Sequence, residues 1–169
     1  MNSERSTPEN PGGVKEEEIP SAVAVAGHPL HAMSVHFPIA LAISTLGADI
    51  FLWWSGDPFW TRVGLWTSGA AFATGIAAGL AGTAELLFVP QIRHRVQSWR
   101  HGVSAMMLIA LLGLNWGVRL QDSEDVLVHG LILSALAATF TGLAGWHGGK
   151  LIFHHGVGVM VSTDDDEDD

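Results

Sequence analysis

The chain has 169 residues, of which 48% are hydrophobic and only 15% charged, and its mean hydropathy is positive. An average soluble domain carries about a quarter charged residues, so this composition points away from one. There is no cysteine, which excludes disulfides, thiolate metal sites and cysteine nucleophiles. The net charge of −9 is set by the ends. Glu4, Glu9, Glu16, Glu17 and Glu18 outnumber Arg5 and Lys15 in residues 1–27, and Asp164 to Asp169 close the chain with six acids. The middle is neutral, with six acids and six bases, so no basic field suggests a nucleic-acid partner.

Residues 1–27 are rich in Pro, Glu, Ser and Gly and show no apolar period, which predicts a disordered acidic tail. Residues 160–169 predict a second one. The first apolar run, residues 33–54, is long enough to span a bilayer. Pro38 falls early in it and is expected to kink the helix. Ser55 to Pro58 reads as a turn. The second run, residues 61–89, is marked by small residues, including the GxxxG of Gly75 and Gly79, which let helices approach closely. A polar, basic connection follows over residues 91–100. The third run is 101–118, and the fourth, after the polar loop 121–125, is 126–146.

Four apolar runs with almost no charged faces predict an all-α integral membrane four-helix bundle over residues 28–159 with disordered acidic tails. Trp53, Trp54, Trp60, Trp66, Trp99, Trp116 and Trp146 lie at or within a few turns of predicted helix ends, as an interfacial belt does. Arg5, Lys15, Arg93, Arg95, Arg100 and Lys150 fall on one side of this topology, against Arg62 and Arg119 on the other, which places both termini in the cytoplasm.

Histidine carries the functional expectation. His28, His31 and His36 stand within nine residues at the mouth of the first run. The topology brings His94, His101, His147, His154 and His155 to the same side, and leaves only His129 opposite. Glu85, closing the second run, joins them. Imidazole is the commonest metal ligand and also ligates haem iron, and cofactors sit between bundle helices. The expected ligands are His36 and His101, equally deep in their helices, with His28, His31 and His155 around them and Glu85 as a further ligand to a metal. His31 and His36 are about 140° apart on a helix, so they do not both face inward unless Pro38 distorts the turn. Two-haem bundles pair histidines 13–14 residues apart on one helix; positions 49 and 115 are Asp and Asn, so at most one b-type haem, or a transition metal ion, is expected. Toward the far side, Asp49 and Arg119 suggest a helix–helix ion pair with Asn115 nearby, or else a proton or ion path. No P-loop, Rossmann glycine pattern, HExxH or GxSxG occurs, so no catalytic residue is assigned.

The residues His28-Pro-Leu-His31, Val35-His36-Phe-Pro38, Asp49, Glu85, His101, Asn115, Arg119, Gly145-Trp, Gly148-Gly-Lys-Leu and His155-Gly-Val-Gly-Val159 together resemble the prokaryotic membrane family called domain of unknown function 2231. Glu85 stands where the family pattern has Asp, and His154 where it has Arg; His94, His129 and His147 do not match it. The resemblance implies a four-span protein of the cytoplasmic membrane. Some members are joined to Rieske-type iron–sulfur domains, which implies a redox setting and an iron–sulfur partner. The expectation is therefore a membrane protein that binds haem or metal and takes part in electron transfer. The alternative is a non-redox structural or transport subunit whose histidines handle protons. Lipid is the one certain surrounding of either, and a homo-oligomer is compatible with both.

Overall fold

The computed structural model describes residues 21, 23–26, 28–121 and 126–155. The tails expected at 1–27 and 160–169 lie almost wholly outside these residues, as do 156–159 and the side chains of His154 and His155. A two-residue antiparallel ladder pairs β1 (Ala24–Val25) with β2 (His28–Pro29), turning at Ala26 with φ +50°. Then come α1 (Leu30–Ser34), α2 (His36–Ser55), α3 (Pro58–Phe88), α4 (Pro90–Arg93), α5 (Val96–Gln121), a π-helical turn (Val126–Gly130) and α6 (Leu131–His155).

The boundaries follow from local chemistry. Pro38 has no N–H to give the Ser34 carbonyl, so the chain breaks at Val35 between α1 and α2, and Pro38 falls in the first turn of α2, where proline is tolerated. Val35 itself keeps right-handed helical angles, so the interruption is local and Leu30–Ser55 runs as one span. Gly56, with φ +65°, closes α2 in the left-handed conformation. Asp57 caps α3 by accepting from the Phe59 N–H at 2.9 Å, with Pro58 at the first helical position. Pro90 starts α4, which leaves α5 free to begin at Val96, five residues before the expected start. Gly145, Gly148 and Gly149, read as the end of the last helix, lie inside α6.

The four long helices form an up-and-down ring in which α2 touches α3 and α6, and α5 touches the same two. Four helical stretches of 26 to 31 residues are long and apolar enough to cross a membrane. At 1.5 Å per residue they are about 39–46 Å long, against a hydrocarbon core of about 30 Å.

Side chains are sorted as lipid, not water, would sort them. Trp54, Trp66, Phe88 and Phe153 are all more than 70% exposed. The interior is lined by small residues and a few aliphatics: Ala42, Ala71, Leu108, Leu112 and Ala137 form the central layer. The largest fully buried side chains are Leu112, Asn115, Thr45, Asp49, Ser68 and Ser134, five of them polar. Lipid tails offer bulky apolar groups the same environment as a core, so close packing of small residues and internal hydrogen bonds hold such a bundle together. Gly113, for instance, lets the Phe72 ring of α3 approach α5, where an added Cβ would come within 2.8 Å of it.

Candidate functional site

Two polar centres lie at opposite ends of the bundle. The first is built where α2 begins and α6 finishes. His31, on the single turn α1, leans against α3, and its Nδ1 is 2.8 Å from the Ala78 carbonyl oxygen. His101, in the second turn of α5, reaches α6, with Nδ1 3.0 Å from the Ala144 carbonyl oxygen. A carbonyl only accepts, so in both rings Nδ1 carries the proton and donates. In neutral imidazoles this leaves both Nε2 atoms as bare lone pairs.

The two rings face each other with centroids 5.8 Å apart and planes at 79°. Glycines make the space. A Cβ on Gly82 would lie 2.7 Å from Nδ1 and Cε1 of His31, and one on Gly148 would lie 3.1 Å from Cε1 of His101. This close approach accounts for a glycine inside α6 where the sequence suggests a helix end.

The other expected site residues divide around this pair. His36 is exposed on the outside of α2 and, among the described residues, donates only to the Met33 carbonyl, at 3.3 Å. The structure thus brings His31, not His36, to His101. His28 is exposed in β2, with Nδ1 on the Ala26 carbonyl at 2.8 Å. Glu85 is buried near the end of α3, where its carboxylate accepts from the Ser21 hydroxyl. His94 is exposed where α4 ends, and the break before α5 removes the continuous helix that would have aligned it with His101. His129 lies exposed in the π-helical turn at the opposite end. His147, which the family pattern omits, packs beside the site on α6: its Nδ1 accepts from the Gln97 amide at 2.8 Å. Among the described residues no three of His, Asp and Glu converge as a metal cage.

What the pair could hold follows from its donor set. A ligating histidine typically donates its second ring N–H to a carbonyl or carboxylate, which fixes tautomer and aim. His31 and His101 both have that arrangement. With metal–nitrogen bonds of about 2 Å, two imidazoles on opposite sides of one ion have centroids about 6 Å apart, close to the 5.8 Å observed. With both Nδ1 protons anchored, the pair offers two Nε2 lone pairs, the donor set that a transition-metal ion or a haem iron takes from two imidazoles.

The second centre is a buried ion pair. Arg119 of α5 places Nη2 at 2.8 and 2.7 Å from the two carboxylate oxygens of Asp49 on α2. Both side chains are 1% exposed. Arg119 Nε donates to Asn115 Oδ1 at 2.9 Å, Asn115 Nδ2 donates to Ser134 Oγ at 2.8 Å, and Ser134 donates to Asp49 Oδ2 at 2.5 Å. Asp49, Asn115 and Arg119 are the trio the sequence suggests. Ser134 is the member it missed; its only signal is a lone serine in an apolar stretch. Gly64 of α3 closes the centre, since a Cβ there would collide with Arg119 Nη1. Nη1 itself has no partner among the described residues. Burying charge this deeply requires a close partner, and Asp49 supplies it, with Nη2 shared between its two carboxylate oxygens.

A four-helix bundle with four membrane-length helices, an apolar exterior and a buried ion pair is an integral membrane protein. The family described as "Predicted membrane protein (DUF2231)" matches residues 27–161, and the chain belongs to it. No curated protein and no solved structure matches the chain.

Proposed function

We propose that this protein carries a bis-imidazole centre in which His31 and His101 ligate one transition-metal ion, bare or as the iron of a b-type haem, and that it takes part in electron transfer. The observation that supports this reading is the shared state of the two rings: each Nδ1–H is anchored to a backbone carbonyl of a neighbouring helix, the centroids lie 5.8 Å apart, and neither Nε2 has a hydrogen-bond partner among the described residues. When bound, such an ion supplies one-electron chemistry. The protein's part is to fix the tautomers, hold the rings through α3 and α6, and keep the centre between helices.

The excess of lysine and arginine at this end supports a cytoplasmic placement for it and for both termini. An electron partner of iron–sulfur type would then approach from the cytoplasm. A reporter fused to the C-terminus should be active there.

The test is an absorbance spectrum and metal analysis of protein purified after expression with ample haem and metal. His31→Ala and His101→Ala should each abolish the Soret band, or the bound metal, while exposed His36→Ala should leave it. Neither a band nor a stoichiometric metal in the unaltered protein would overturn the reading and leave a proton-handling histidine pair. A signal lost in His36→Ala but kept in His31→Ala would overturn the ligand assignment.

A further inference from the structure

A groove of about 370 Å³ opens on the outer surface between α5 and α6, lined by Val96, Trp99, Arg100, Val103, Ser104 and His147. It uses none of the residues assigned to the ion centre. Five of the six lie on one strip of α5, at the i, i+3, i+4, i+7, i+8 spacing that puts residues on one face. Val96, Trp99 and Val103 are 67%, 48% and 52% exposed, so the groove walls are open and apolar. The indole N–H of Trp99 is tied to the Arg93 carbonyl at 2.9 Å, which fixes that wall.

The polar groups of the groove include two donors suited to an anion. Arg100 is exposed and cationic. His147 accepts from Gln97 at Nδ1, so its proton sits on Nε2, and that atom can only donate while the ring is neutral. Lys150, three residues beyond His147 on α6, adds a second cation and rests over the Trp146 ring at 5.2 Å. Arg93 and Arg95 stand at the same end of the bundle. Against them, Glu85 is the one carboxylate at this end among the described residues, and it is buried.

We infer that this groove binds the headgroup of an anionic phospholipid. The phosphate would meet Arg100 and the His147 Nε2–H, and the glycerol and first acyl carbons would lie over Val103 and Trp99. Charge complementarity commits the site to an anion, and the open apolar floor on a membrane-spanning surface commits that anion to a lipid.

The experiment reconstitutes the full chain in phosphatidylcholine bilayers doped with phosphatidylglycerol, extracts it in mild detergent and counts retained lipids by native mass spectrometry. One phosphatidylglycerol per chain should be retained in preference to phosphatidylcholine. Arg100→Gln should weaken retention about fivefold, the effect of one basic residue at an anionic surface. Val103→Trp, which fills the groove without changing charge, should weaken it as well, and Arg62→Gln at the opposite end should not. Melting temperatures in pure phosphatidylcholine should match for all variants; if Arg100→Gln fails to fold, Val103→Trp decides. Equal retention by Val103→Trp and the unaltered protein would overturn the inference. So would equal retention of the two lipids, or binding of inorganic phosphate alone with the same Arg100 dependence. A chain that retains no anionic lipid would overturn it too, leaving its own acidic C-terminal segment as the remaining occupant.

Discussion

Replacing Asp49 by alanine should be among the most destabilising single changes in the bundle. The variant leaves Arg119, 1% exposed, with a guanidinium that loses both carboxylate contacts. Nε keeps Asn115 Oδ1, Nη2 keeps a 3.3 Å contact with Ser134, and Nη1 has no described partner to begin with. Removing one member of a buried pair typically costs about 3–5 kcal/mol, because the other charge is left uncompensated. Neutral interhelical hydrogen bonds in membranes average only about 0.6 kcal/mol, so the two accounts differ by more than the error of the measurement. The assay is reversible unfolding in mixed micelles as the denaturing detergent is raised. A loss of about 3 kcal/mol or more supports a charged, desolvated pair. A loss under about 1 kcal/mol would refute it, showing that water or an alternative partner reaches Arg119. The double variant Asp49→Leu with Arg119→Met should recover most of the loss, since apolar replacement of both partners is often neutral or better.

Other consequences follow from the glycines that seat these groups. Gly64→Ala drives a Cβ into Arg119 Nη1 and should cost about 1–3 kcal/mol in the same assay. Gly47→Ala meets nothing within 4 Å and should be neutral or stabilising by up to about 1 kcal/mol. Gly82→Ala displaces the His31 ring, so it should lower the bound metal or haem per chain more than it lowers the unfolding midpoint. Equal effects on the two would count against a ligand role for His31.

How much of this was legible in the sequence depends on the range of the interaction. Hydrophobic runs of membrane length are a property of the solvent, and they identify the four spans without tertiary knowledge. Asp49, Asn115 and Arg119 were legible for the same reason, since polar groups in such spans need one another. The choice between His31 and His36 was not. A helical wheel through residues 31–36 sets the two rings about 140° apart, but which of them faces the bundle is decided by the packing of His31 against α3, a contact between helices. Gly148 misled in the other direction: read by propensity alone it ends a helix, whereas here it is required by the His101 ring packed against it. Ser134 and Gly64 matter only through partners on other helices, and the one local hint is a lone serine in an apolar run.

The separation of the two centres has a consequence of its own. His101 and Asn115 are fourteen residues apart on α5, about 21 Å along the axis. Between them lies the apolar layer of Ala42, Ala71, Leu108, Leu112 and Ala137, in which Ala71 and Leu112 are 0% exposed. A chain of hydrogen bonds cannot cross such a layer without water, and empty apolar space stays dry. The buried pair should therefore hold α2, α5 and α6 in register without exchanging protons with the imidazoles. Asp49→Asn removes the carboxylate charge but keeps its shape, so it isolates this point. In that variant the spectrum or metal content of the His31–His101 centre, and the midpoint potential of any bound ion, should match the unaltered protein while the unfolding midpoint falls. A shifted potential with an unchanged unfolding midpoint would reverse the argument: the two ends would then be coupled electrically across the layer, and the pair would belong to the functional path instead of the scaffold.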